Sequence, residues 1–514
     1  MRDHLLILPV VLPLVTAIVL LFAARRSTWL HRGIGLGSTA LLVGISLWLV
    51  AIAGDGGHEV YVLGDWSPPF GIVLVLDRLS AAMMAVMSVL ALFSLLYASG
   101  GEDRGPYFPA LFQFQLMGLS GAFLTGDLFN LFVFFEVLLI ASYSLLMNSG
   151  GLARSRAGFH YVVLNLVGSL LFLLGAGILY GVSGTLNMAD LAVQVSQTAP
   201  ANQALLAAGG LVLLVVFGLK AALLPLLFWL PRTYSAASPA VAALFAVMTK
   251  VGVYAMLRTF PLVYGPLAGD LEGLVWDWLW PLSLATMVLA LIGTLGAQTL
   301  STLVSWQIVL SMGTLMTIMS LGQAHAYGAL IFYLIHTTWI TGGLFLVAGL
   351  VKSQRGTAGD VLSAAPKMQS STAISVLFLI GAMGVAGLPP MSGFPAKLAL
   401  LQSTGLSDGW TWIWALVVGG GLISLIALSR AATHLFWGHS EGQFNEKRKL
   451  HPCCCIGAMA LVLGSPLLSL GAQPVLDFTR AAGEQLAAPQ FYIDAVLGRE
   501  SVSALPAPVE GWVP

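Results

Sequence analysis

The sequence predicts an all-α polytopic membrane protein of about fourteen transmembrane helices, built as two inverted five-helix repeats that each hold one discontinuous helix. Three observations carry that prediction. The composition is too apolar for water, long apolar runs alternate with connections that are basic on one side only, and two overlong runs are interrupted by proline at matching places.

Of the 514 residues, 58% are hydrophobic and only 9% are charged, and the mean hydropathy is +0.90. Soluble domains carry about 25% charged residues, so most of this chain must lie in lipid. The net charge of zero gives no basic field for nucleic acid. The three cysteines stand together as Cys453 to Cys455 and supply neither a disulfide framework nor a CxxC pair. No GxGxxG after a strand, no P-loop and no HExxH occurs. The expectation is therefore no catalytic residue set, no cofactor and no metal.

A spanning helix needs about 20 mostly apolar residues. By that rule the spans run over roughly 4–23, 33–53, 77–98, 107–125, 128–148, 158–181, 204–230, 237–259, 275–297, 300–320, 327–350, 371–402, 411–435 and 454–472. The first resembles a signal peptide, but it is long enough to span and meets Arg25 and Arg26 without a convincing cleavage site, so it reads as a retained helix. Connections after odd-numbered spans hold thirteen Lys and Arg residues: Arg25, Arg26, Arg32, Arg104, Arg154, Arg156, Arg232, Lys352, Arg355, Lys367, Lys447, Arg448 and Lys449. Those after even-numbered spans hold essentially none; Arg78, Arg258 and Lys397 lie inside or at the ends of spans. The positive-inside rule then puts the odd connections in the cytoplasm and both termini outside. Trp276, Trp278, Trp280, Trp410, Trp412 and Trp414 fall at outer helix ends, as an aromatic belt requires.

The seventh and twelfth runs are too long for one straight crossing. The seventh holds Lys220 and then Pro225; the twelfth holds Gly387, Pro389 and Pro390 before Lys397. Each interrupted run is fourth in a block of five spans, and an odd block length forces the second block to start from the opposite face. The expected organisation is an N-terminal three-helix segment (1–106), a first repeat (107–260), a second, inverted repeat (275–436) and a C-terminal helix with an outer tail (437–514).

Ionisable groups inside the spans are few: Glu136, Lys220, Lys250, His336 and Lys397. From the helix starts, Glu136 lies roughly 12 Å in and Lys250 roughly 20 Å in. A charge at mid-membrane costs at least about 2.5–3.5 kcal/mol. Desolvation pushes a lysine and a carboxyl toward neutrality, a neighbouring opposite charge resists it, and moving that neighbour away makes the lysine release a proton and the carboxyl take one up. Each group also has a plainer reading. Glu136 can pin two helices, the lysines can act as counter-ions, and His336 can be a hydrogen-bonded packing residue. Asp127 reads as a helix N-cap, Asp77 with Arg78 as an interfacial start to the third span, and the cysteine run as packing.

LKAALLPLLFWLPRTYSAASPAVAALFAVMTKVGVYAMLR (219–258) and GVAGLPPMSGFPAKLAL (384–400) resemble the two signatures of the antiporter-like subunits of respiratory complex I, membrane-bound hydrogenases and Mrp cation/proton antiporters. GDLFNLFVFFEVLLIASYSLL (126–146) extends the resemblance over nearly all the chain from the third to the thirteenth span. The opening LLILPVVLPLVTAIVLLF, the segment YVLGDWSPPFGIVLVLDRLSA and the tail FYIDAVLG are similar to the Mrp D branch, and the chain lacks the long lateral helix of the larger members. The resemblance implies a fourteen-helix fold in a bacterial cell membrane with a polar axis at mid-depth. Glu136 and Lys220 match the family's ion pair, Lys250 its central lysine and Lys397 the charged residue of the second broken helix. One position departs from the pattern: Thr341 stands where the family usually has a lysine, leaving a hydroxyl as the polar relay beside His336.

Family members work inside hetero-oligomers, here implying Mrp A, B, C, E, F and G type partners, with H+ and a monovalent cation, Na+ by family habit, as the transported ions. The function so implied is a non-enzymatic component of a cation/proton antiporter. The alternatives are a proton-pumping subunit of complex I or a hydrogenase, and a membrane scaffold with structural ion pairs.

Overall fold

The computed structural model describes residues 4–23, 27–103, 105–148, 150–366, 368–405, 409–438 and 449–499. Arg2, Arg25, Arg26, Arg104, Lys367, Lys447 and Arg448 lie outside the described residues. In chain order the elements are α1 (Leu8–Phe22), α2 (Thr28–Gly54), a hairpin of β1 (Glu59–Val62) and β2 (Val73–Leu76), α3 (Arg78–Ala98), α4 (Phe108–Leu124) and α5 (Leu128–Met147). They continue with α6 (Leu152–Ser183), α7 (Met188–Ser196), α8 (Pro200–Lys220), α9 (Trp229–Ala236), α10 (Pro239–Val263), α11 (Trp276–Gly296) and α12 (Leu300–Met319). The remainder are α13 (Ala324–Arg355), α14 (Ser371–Ala386), α15 (Gly393–Ser403), α16 (Trp410–Ala432), α17 (Pro452–Leu470), α18 (Ala472–Ala487) and α19 (Pro489–Leu497).

Among the described residues eleven helices are long and apolar enough to cross a membrane, and the three shorter apolar helices α1, α4 and α14 bring the set to fourteen. Most start where side-chain chemistry dictates. Asp77 accepts from the Ser80 amide and Ser80 Oγ from the Asp77 amide in a capping box, while Asp127 and Thr299 accept from the amides of Asn130 and Thr302. Proline opens α8, α10 and α17, where its missing N–H has no partner to lose. The most apolar stretch of α10 is wholly buried, and α12 and α13 are nearly so. These helices form the middle of the bundle, and α2, α16 and α17 turn much of their surface outward.

Both overlong runs break. The first ends as a helix at Lys220 and resumes at Trp229 in α9, with Pro225 in the gap. The second ends at Ala386, passes through Gly387 (φ 86°) and Pro389–Pro390, and resumes at Gly393. Proline supplies no N–H and its ring clashes with the preceding turn, which favours a break in each segment.

The repeats also show their inversion in backbone pairing. The cap residue of α5, Asp127, bridges antiparallel to Asn187, and the cap residue of α12, Thr299, bridges antiparallel to Val361. The two bridges occupy equivalent places in the two blocks but opposite faces of the bundle. One face, here the basic face, gathers Arg32 with Asp103, Arg154 with the Ala236 carbonyl, Lys352 with Ser301 and Asp360, and Arg430 with the Leu295 carbonyl. The opposite face carries the β-hairpin, whose Val73 carbonyl accepts from the Gly126 amide, and α18, whose Gln485 Nε2 donates to the Gly56 carbonyl.

The hairpin, α7, α18 and α19 are not expected from apolar run length. Each is too short or too mixed in polarity for that signal: α18 reads AQPVLDFTRAAGEQLA, with apolar residues at helical spacing among charged ones. Gly483 of α18 sits directly against the backbone of Ala324 and Gly328 in α13, where any side chain would collide. The tail is thereby fastened to the bundle's central helix.

Candidate functional site

The first half of the site is built on α5, α6 and α8. Glu136 is half-buried on α5, and its carboxylate Oε1 accepts from Ser169 Oγ of α6. One turn away on α6, Asn165 Oδ1 accepts from Lys220 Nζ at 3.1 Å. Lys220 is 8% exposed and is the last residue of α8. Phe135 lies under it with Nζ 5.9 Å from the ring centroid.

No ion-pair contact joins Glu136 and Lys220 among the described residues, because α6 stands between them and hands each a polar side chain. Sequence reasoning missed Asn165 and Ser169. Their signal is two polar side chains at helical i, i+4 spacing in the apolar run LNLVGSLLF.

A cavity beside Lys220 is lined by Phe135, Tyr161, Asn165, Trp229, Met248 and Val251. Met248 and Val251 flank Lys250 in sequence on α10. Lys250 is fully buried, and its Nζ has no hydrogen-bond partner among the described residues. An unpaired ammonium in so apolar a place is costly.

The second half mirrors this around the other broken helix. Lys397 rises from α15 and donates to the carbonyls of Val385 and Ala386, both at 2.9 Å, at the C-terminal end of α14. Gly421 of α16 makes the space: a Cβ there would meet the Ala386 carbonyl at 3.0 Å and Lys397 Nζ at 3.3 Å. His336 Nδ1 lies 2.7 Å from Ser392 Oγ, which is 2.9 Å from Ser465 Oγ. Thr341, one turn and a little more along α13, donates to the Thr337 carbonyl at 2.6 Å. His336, Thr341 and Lys397 line one cavity with Gln307, Thr314 and Ser424, which is large enough to hold water. The second break thus places an ammonium beside backbone carbonyls, while His336 is hydrogen-bonded to Ser392 and also lines the cavity.

Two further groups lie off this line. Arg258, read in the sequence as a span-end residue, is 3% exposed on α10 and grips Asp77 with two bonds of 2.7 and 2.8 Å. Its guanidinium also stacks 5.2 Å from the Tyr492 ring of α19. Asp77 is therefore both a cap and half of a buried ion pair. The hint is an acid opening the third span and a base near the same end of the eighth. The second group, Glu102, is half-buried in the α3–α4 connection.

Paired broken helices, buried lysines at the breaks and an inverted repeat define an ion-translocating membrane protein of the discontinuous-helix class. Residues 125–424 match the family model described as NADH:quinone oxidoreductase/Mrp antiporter, TM, and the chain belongs to that family. It is 39% identical over 531 residues to the D subunit of a probable K(+)/H(+) antiporter of Rhizobium meliloti (strain 1021), covering 96% of this chain and 98% of the relative. It is 35% identical over 506 residues to the D subunit of a Na(+)/H(+) antiporter of Bacillus subtilis (strain 168), covering 96% and 99%. A chain of the Mrp complex from Dietzia sp. DQ12-45-1b superposes with a TM-score of 0.87 at 28% identity, covering 96% of this chain and 99% of that one.

Proposed function

We propose that this chain is the D-type component of a multisubunit monovalent cation/proton antiporter and that it carries the proton part of the exchange. The observation that carries the reading is the series Glu136, Lys220, Lys250, His336 and Lys397, placed along both halves of a buried bundle with a water-sized cavity in each half. The near full-length similarity to antiporter D subunits supports the cation-exchange assignment over a redox pump. The chain is a transport component rather than an enzyme.

The chemistry follows from the neighbours. Glu136 reaches Lys220 through Ser169 and Asn165, so a change of charge at the half-exposed carboxylate alters how readily Lys220 holds its proton. Lys220 passes that change to Lys250 across the cavity walled by Met248 and Val251. In the second half, His336, the Thr341 hydroxyl and water carry the proton to Lys397. Pro225 and Pro389–Pro390 serve by breaking the helices, which in the second half frees the carbonyls that hold the Lys397 ammonium. Lysines repel a metal cation, so the Na+ or K+ path belongs to a partner of the A, B, C, E, F or G type. Glu136, half-buried at the bundle surface, is the group placed to sense that partner. The basic face is cytoplasmic in a bacterial cell membrane, with both termini outside, and the repeats run over 107–260 and 275–436.

Glu136→Ala and Lys220→Ala in the assembled complex test the reading. The expected result is loss of cation-driven proton movement in membrane vesicles with the subunits still co-purifying; antiport at the parent rate in both variants overturns it.

A further inference from the structure

We propose that Glu102 is the proton-exchange port between Lys250 and the basic face, joined to it by a polar seam between α3, α4 and α10. The proposal rests on the reading of the buried lysines as a proton path. Glu102 lies in the connection after α3, and its Oε2 accepts from the Ala240 amide at 3.0 Å, in the first turn of the helix that carries Lys250. Ser238, the cap residue of α10, stands beside the same carboxylate. Around it stand Lys352 of α13, Arg154 of α6, Tyr97 of α3 and Cys454 of α17. Burial pushes the Glu102 carboxyl up to about 7, against the Ala240 amide, the nearby Ser238 hydroxyl and the two basic groups that favour its charged form. A group held so changes charge within the cellular pH range, and the axis described above makes no use of it.

Two buried polar side chains, Ser94 and Gln115, lie at depths between Glu102 and Lys250. Tyr97 and Pro239 meet at Gly349, and Leu90 and the Ala243 carbonyl meet at Gly342. Ser94 of α3 therefore sits between the levels of Pro239 and Ala243. α4 and α10 both run from the basic face, and the Tyr254 hydroxyl donates to the Phe123 carbonyl. Counting eight residues back on each helix brings Gln115 level with Ala246, about one turn short of Lys250. Ser94 Oγ, both amide atoms of Gln115 and Lys250 Nζ are buried and have no hydrogen-bond partner among the described residues. Buried polar atoms of this kind are served by internal water. From Ala240 to Lys250 the path is ten residues, roughly 15 Å of helix. The other end of α10 is filled by the buried Arg258–Asp77 ion pair.

The test uses the whole complex in everted vesicles, with antiport rate measured against the pH on the basic side. Glu102→Gln is expected to lose at least about tenfold in rate and the inflection near neutral pH, while Glu102→Asp keeps both in displaced form. Gln115→Leu is expected to slow exchange and leave the inflection in place. A Glu102→Gln complex with the parent rate and pH profile overturns the port, as does a slowed complex whose profile is unchanged. If Glu102→Gln does not assemble, Glu102→Asp alone decides, an undisplaced inflection counting against the port. Glu136→Ala and Lys220→Ala run in parallel separate the two claims: if they abolish exchange and Glu102→Gln does not, only the port falls; if they too are silent, the axis falls with it.

Discussion

Asp77 offers the sharpest stability prediction, because its two duties can be separated. Its carboxylate caps α3, with Oδ1 2.8 Å from the Ser80 amide, and pairs with Arg258 through bonds of 2.7 and 2.8 Å at 2% and 4% side-chain exposure. Asp77→Asn retains an oxygen for the cap but strands the buried guanidinium. Removing one partner of a buried pair costs about 3–5 kcal/mol. Asp77→Ala loses the cap as well, adding about 1 kcal/mol. In Asp77→Asn with Arg258→Met no unpaired charge remains, so most of the loss returns. The assay is thermal or denaturant melting of the purified complex, followed by the fraction of this chain still bound to its partners. An Asp77→Asn complex within about 0.5 kcal/mol of the parent, the range of an ordinary surface change, refutes the reasoning. So does a double variant no more stable than the single one.

Other outcomes follow from the same geometry. Gly421→Ala crowds the Ala386 carbonyl at 3.0 Å and Lys397 Nζ at 3.3 Å, so exchange falls sharply while the bundle stays folded, as read by antiport alongside melting. Thr341→Val keeps the volume of a fully buried side chain but removes the hydroxyl from the second cavity; antiport falls about tenfold, and Thr341→Ser restores it. The Glu102 carboxyl is raised from its unfolded value to about 7, so its contribution to stability is complete below about pH 4.5 and is lost as pH rises through 7. The loss is on the order of 3 kcal/mol, visible as a melting temperature that falls between pH 5 and about 8 and flattens in Glu102→Gln.

The fourteen crossings are legible because lipid imposes a single rule: a long apolar run must be a helix that closes its own hydrogen bonds. The breaks after Lys220 and at Gly387–Pro390 are legible because proline and excess length coincide there. The hairpin at 59–76 and the helices α18 and α19 are not, since they lie outside the apolar interior and depend on docking against α3, α10 and α13. At the site, the charged residues stand out against an apolar background, and their partners do not. Ser169, Asn165 and Ser392 are ordinary residues in any helix and acquire meaning only when another chain segment brings Glu136, Lys220 or His336 to them. The Asp77–Arg258 pair joins residues 181 positions apart, a contact that no local pattern announces. Glu102 is hidden for a related reason: it sits in a loop that reads as exposed until α10 closes over it.

Lys250 is the pivotal group of the proposed axis, being fully buried, unpartnered among the described residues and carried on the wholly buried α10. The most direct measurement is cation-driven proton flux in vesicles holding an assembled complex with Lys250→Met, which keeps the length of the side chain and removes its charge. A proton path through Lys250 predicts an intact, fully assembled complex with flux reduced to the level of empty vesicles. Flux at the parent rate, with assembly confirmed, contradicts a proton path through this axis.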